Sequence, residues 1–104
     1  MSTATPISIA DSLARLTFLF DRTPDTSEAE SQDAFAMLCP YRDGGICIGH
    51  YAGYSEWERH GAGDEIVYVV EGQTTLFRLE QGQEVASTLG PGELMVVPTG
   101  TWHR

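Results

Sequence analysis

Two rhythms of apolar and polar positions divide this chain near residue 33. From Ala34 onward, short apolar runs recur at 34–38, 46–51, 66–70, 74–79, 84–88 and 94–97. Turn formers separate them: Asp43-Gly44-Gly45, Gly61-Ala62-Gly63-Asp64, Glu71-Gly72, Gln81-Gly82 and Gly90-Pro91-Gly92. Runs of strand length at this spacing predict an all-β sandwich or barrel over residues 34–104. The pattern does not choose between the two.

Residues 1–33 read as a lead-in rather than a second domain. Asp11-Ser12 can cap a short helix through Leu13, Leu16 and Leu19, and the polar, acidic stretch 23–31 predicts a loop. At 104 residues the chain has room for one core, so a single domain is expected.

Charge narrows the function classes. Fifteen Asp and Glu face six Arg and no Lys, a formal net charge of -9. The arginines, at 15, 22, 42, 59, 78 and 104, form no basic cluster, which argues against a nucleic-acid partner. No apolar run approaches the roughly 20 residues of a membrane span, and the first residues lack the basic start of a secretory signal. These features predict a cytoplasmic protein without a membrane partner. Cys39 and Cys47 flank the Asp43-Gly44 turn, where a three-residue loop centred on Asp43 would set them opposite each other. In a reducing compartment, two buried thiols are expected rather than a disulfide.

Chemistry concentrates in two segments. Gly92, Pro98, Gly100 and His103 stand in the order G-x5-P-x-G-x2-H, and His60, Glu65 and Gly72 stand as H-x4-E-x6-G. Read as a strand, 54–60 puts Glu58 and His60 on one face and Trp57 and Arg59 on the other. After the glycine turn at 61–63, Glu65 at the head of the next strand can return to the same place. Gly72 and Gly92 suit positive φ in turns, Pro98 stiffens a strand end, and Gly100 permits a sharp turn before His103.

Together the two segments resemble the signature motifs of the cupin superfamily, over roughly residues 46–104. Trp57, His60, Gly63-Asp64-Glu65, Tyr68-Val69 and Gly72 are similar to the W-x-x-H-x-x-G-D-E-x-x-Y-V-x-x-G form of small single-domain cupins. The resemblance implies a double-stranded β-helix, a jelly-roll-like barrel, behind a helical or irregular lead-in. It nominates His60, Glu65 and His103 as ligands of a divalent metal. The common motif carries H-x-H where this chain has Glu58-Arg59-His60, so Glu58 is nominated as a fourth ligand or, off the metal, as a general base. Two histidines and a carboxylate with open positions suit Fe(II), and Mn, Ni or Zn can fill the same N/O cage.

The remaining readings follow from parity. His50 shares the parity of Ile46 and Ile48 and is read as a lining or surface histidine, not a ligand. Tyr54, Trp57 and Trp102 are read as packing around the barrel mouth. Val67 and Val69, then Gln73, Thr75 and Phe77, with Met95 and Val97, are expected to line the interior, a mostly apolar wall suited to a small organic molecule. Cupin barrels continue with strand beyond the second motif, whereas this sequence stops at Arg104. The lead-in, a second copy or a natural tail is expected to complete the sheet, and an unpaired edge favours a homodimer. Two functions stay open: a metal-dependent enzyme of dioxygenase, isomerase or lyase type, and a metal-free, non-catalytic small-molecule-binding domain.

Overall fold

The computed structural model describes residues 4–104, which form two compact units, one up to Ser55 and one over Glu56–Arg104. Among the described residues the architecture is all-β, with eight strands and only short helices.

In the first unit, helix α1 (Ile9–Ala14) is capped by Ser8, whose hydroxyl accepts the Asp11 amide at 3.0 Å. The cap therefore lies three residues before the expected one, and Leu19 opens strand β1 (Leu19–Arg22) instead of ending the helix. The expected loop at 23–31 holds a single helical turn, α2 (Glu28–Ser31). Ser27 and Glu30 close a capping box there, each side chain bonding the other's backbone N–H at 3.1 Å. A 3₁₀ turn (Gln32–Ala34) then leads into β2 (Phe35–Tyr41), which pairs antiparallel with β3 (Gly44–Gly49).

The β2–β3 hairpin corrects the cysteine geometry. Tyr41 pairs with Gly44, leaving a two-residue loop, and a register shift between Met37 and Cys39 places Cys47 opposite Met37. One extra residue on β2 moves Cys39 out of line with Cys47. Both thiols are free; Cys47 is exposed and Cys39 half-buried, so neither is the buried thiol expected.

Strand β4 (Tyr51–Gly53) runs parallel to β1. Gly53 sits at φ 123°, and a Cβ there would overlap the Arg22 backbone, so only glycine fits this approach. The Arg22 guanidinium lies 5.0 Å from the Phe35 ring centre and 4.6 Å from that of Tyr51. His50 packs edge-on against Phe18, with ring centres 4.8 Å apart.

The second unit holds β5 (Glu65–Tyr68), β6 (Thr74–Glu80), β7 (Gln83–Leu89) and β8 (Leu94–Val97). β5 pairs antiparallel with β8, and β6 with β7. Val67 and Val69 from one ribbon, with Met95 and Val97, pack on Leu76 and Leu89 of the other. Each such side chain contributes on the order of 1.5–3 kcal/mol when fully buried. The inward parity of Val67, Val69, Met95 and Val97 is as expected, but that of β6 is not. Leu76 is buried while Gln73 is exposed, and Thr75 meets Thr88 across the outer face at 3.0 Å. Alternation holds only within a strand, and the turn at Gly72 (φ 73°) resets it by one residue.

The segment before His60 is not a continuous strand. Only Glu58 pairs, forming a bridge with His103, and His103 bridges in turn to Arg78 of β6. The chain's last residues thus lie between Glu58 and β6. Reciprocal bonds join Phe77 and Arg104 at 2.9 Å each way.

Candidate metal centre

Four side chains converge in the second unit. Glu58 and His103 exchange backbone hydrogen bonds of 2.8 and 3.0 Å, which places their side chains on one face. Glu65 enters from the first position of β5, and His60 from the segment just before the glycine turn. One ligand atom from each of Glu58, His60, Glu65 and His103 lies within 4.8 Å of the others, a grouping able to hold a metal ion.

The separations suit a shared cation. His103 Nε2 lies 2.7 Å from Glu65 Oε2 and 3.4 Å from Glu58 Oε1; His60 Nε2 lies 3.3 Å from Glu65 Oε2 and 3.6 Å from Glu58 Oε1. Atoms about 2.1 Å from a common ion stand roughly 3.0 Å apart along an octahedral edge and roughly 3.4 Å apart in a tetrahedron. The observed spread brackets both values.

His103 adds a second indication. Its Nδ1 lies 2.9 Å from the Thr101 carbonyl oxygen, which can only accept, so Nδ1 carries a proton. In the tautomer protonated at Nδ1 alone, Nε2 turns its lone pair toward the Glu65 carboxylate. Two lone pairs at 2.7 Å need a proton or a cation between them. The donor set therefore fits a divalent ion, with two carboxylates to balance its charge.

Burial gives the cluster a floor and a mouth. His103 is 2% exposed, whereas His60, Glu58 and Glu65 are each part-exposed. The group is therefore open to solvent on the side of His60 and Glu58.

Two further polar side chains, Arg78 and Asp64, make specific contacts in this unit. Arg78 shares the face of Leu76, donating from Nε to Glu80 (2.7 Å) and from Nη1 to Ser87 Oγ (2.9 Å) and Met95 Sδ (3.8 Å). A charged side chain among apolar neighbours is tolerated when paired this way. Asp64 Oδ1 accepts from the Thr99 amide at 2.8 Å and from its hydroxyl at 3.0 Å. The Thr99 amide, followed by its hydroxyl, holds the Asp64 carboxyl below its ordinary range. Asp64 was visible as the middle residue of Gly63-Asp64-Glu65, but its partner 35 positions away was not.

Of the three aromatic residues singled out in the sequence, Trp57 and Trp102 each stack with an arginine. The Arg104 guanidinium lies 5.1 Å from the Trp57 ring centre and 4.9 Å from that of Phe77, and Arg59 lies 5.0 Å from Trp102. Tyr54 lies in the first unit and is exposed. His50 is not among the four clustered residues.

Comparison with known proteins bears on the same segment. Residues 48–104 match the family model described as "Cupin domain". Two proteins named acireductone dioxygenase, from Rhodopseudomonas palustris strains TIE-1 and ATCC BAA-98 / CGA009, are each 30% identical over 106 residues. The alignments cover 95% of this chain and 62% of each relative, so the chain spans less than two thirds of their length. No solved structure shows significant similarity to the chain.

Proposed function

The chain belongs to the cupin domain family, and on that premise we propose that it is a metal-dependent enzyme of dioxygenase type acting on a small organic molecule. The observation that carries this reading is the convergence of Glu58, His60, Glu65 and His103 on one point. The similarity to acireductone dioxygenases makes acireductone the first substrate to test.

In this reading His60, Glu65 and His103 hold a divalent ion from the group Fe, Mn, Ni and Zn, with Glu58 Oε1 as fourth ligand. When bound, such an ion polarises oxygen atoms of a small molecule and, if Fe, suits reactions with dioxygen. The chain's own groups do the rest. Thr101 fixes the His103 ring through Nδ1. The part-exposed Glu58 has a second carboxylate oxygen able to accept a substrate proton. Val67 and Met95 pack against the buried core of the same unit. A metal-free binding domain is less favoured, because four ligand-type side chains converge and the similar proteins are named as dioxygenases.

We further propose 34–104 as the cupin domain with 1–33 as its lead-in, a cytoplasmic setting, no nucleic-acid partner and a homodimer. Support for the dimer is the outer face of β5 and β8, where Ile66 pairs with Val96 and Tyr68 with Leu94, all four exposed. Sedimentation of wild type and Ile66→Glu tests it: a dimer that the substitution dissociates is expected, and a monomeric wild type overturns it.

The deciding experiment is elemental analysis of untagged protein, followed by oxygen uptake with acireductone. We expect about one divalent ion per chain, lost in His60→Ala and in His103→Ala, with uptake that follows metal content. A wild type that cannot be loaded overturns the metal reading; a loaded protein that consumes no oxygen overturns the dioxygenase reading and leaves the metal site.

A further inference from the structure

The two motifs that supply the clustered residues are joined by a hydrogen-bonded latch. Gly100 N–H donates to the His60 carbonyl at 2.8 Å, and the Thr99 amide and hydroxyl both donate to Asp64 Oδ1. The turn that bears Thr99 and Gly100 is closed by the Thr101 amide on the Pro98 carbonyl at 3.1 Å, with Gly100 at φ 82°. Thr101 in turn accepts from His103 Nδ1. One connected path therefore runs from Asp64, next to Glu65, through the turn to the His103 ring.

This path is placed to control ligand spacing. Glu65 follows Asp64 directly, so a shift of the 60–64 segment moves His60 and Glu65 together relative to His103. Backbone pairing holds Glu65 only from its own strand onward, where it faces Val97. Ahead of that point, Gly61 and Gly63 offer no side chain to pack, and a Cβ at either would meet nothing within 4 Å. Within the turn itself, the side chain of Asp64 adds a second tie to the one that the Gly100–His60 backbone bond makes at its head.

We propose that Asp64 is a positioning residue: with Thr99 it latches the His60–Glu65 segment to the turn before His103 and sets the four ligands at metal-binding separation. The inference rests on the metal reading of the site. Asp64 touches neither substrate nor metal in this role; it acts through Thr99, the turn and Thr101. Outer hydrogen bonds of this kind typically change metal affinity by about 10–100-fold.

Competition with a chromogenic chelator measures Zn(II) affinity, and the visible spectrum of Co(II)-loaded protein reports ligand geometry. Asp64→Ala is expected to weaken Zn(II) binding by about 10–100-fold and to change the Co(II) bands. Asp64→Asn, which keeps an acceptor at Oδ1, recovers most of the affinity, and Thr99→Val, which keeps only the amide donor, falls between. Leu76→Val serves as a control that lowers the melting temperature through the core while leaving affinity and Co(II) bands as in wild type. If Asp64→Ala binds Zn(II) like wild type with an unchanged Co(II) spectrum, the latch is overturned and the metal site stands. If Leu76→Val loses affinity in proportion to its stability, Asp64 has only a structural role and the inference fails. If wild type binds neither ion, the site assignment and the latch fall together.

Discussion

Glu58 and His103 are direct cross-strand partners, joined by both of their backbone hydrogen bonds, with Oε1 and Nε2 3.4 Å apart. A carboxylate thus stands where the common cupin motif has its first histidine, at a distance suited to sharing an ion. In the proposed metal site Glu58 is the distinguishing member, since with Glu65 it would supply two carboxylate ligands to one divalent ion.

Exchange of Glu58 for neutral side chains tests that role. Glu58→Gln is expected to weaken divalent-metal binding by about 10–100-fold, the scale of a lost or misdirected ligand interaction. Glu58→His retains binding and shifts preference toward ions that favour nitrogen, such as Ni and Zn. Calorimetric titration with Mn, Ni and Zn checks both; Glu58→Gln with wild-type affinity removes Glu58 from the ligand set.

Gly53 and Gly61 provide a matched pair for stability. Gly53→Ala forces a side chain into the Arg22 backbone at φ 123° and is expected to cost about 2 kcal/mol or more. Gly61→Ala meets open space and is expected to stay within about 0.5 kcal/mol of wild type. Urea denaturation measures both, and equal midpoints for the two variants would contradict the packing described at Gly53.

Leu89, only 4% exposed, closes the core beneath the site together with Leu76 and Val97. Truncation by Leu89→Ala is expected to cost about 2–5 kcal/mol, combining lost apolar burial with the cavity left behind. A melting temperature close to that of wild type would show that the two ribbons do not depend on this contact.

Acidification acts on the Ser27–Glu30 capping box. The Ser27 N–H, and after it the Ser27 hydroxyl, hold the Glu30 carboxyl below its ordinary value of 4.5. A depressed folded value means that the bonded carboxylate stabilises the turn in full above that ordinary value and loses this contribution as pH falls through the folded one. In wild type the Ser27 amide resonance should therefore move with a midpoint below 4.5. In Glu30→Gln that titration should be absent, and its persistence would assign the shift to another group.

Much of this arrangement was legible in the residues. Gly72, Gly92 and Gly100 have positive φ, as their turn positions require, and Glu58, His60, Glu65 and His103 converge as spacing and resemblance implied. The errors have local causes. A register shift displaced Cys39 from Cys47, and the Gly72 turn reset the parity of β6, bringing Leu76 inward in place of Thr75 and Phe77. Each depends on the path of the backbone through a turn or bulge, which alternation does not encode.

By itself, the order of residues determined the strand pattern, the glycines of the turns and the set of side chains with metal-binding chemistry, because these follow from conformational preference and ligand type at each position. Only the tertiary structure decided that Glu58 faces His103, that Arg78 lies beside Met95 on the inner face, and that Asp64 reaches Thr99. Those contacts join residues distant along the chain, and their geometry comes into being when the strands pair.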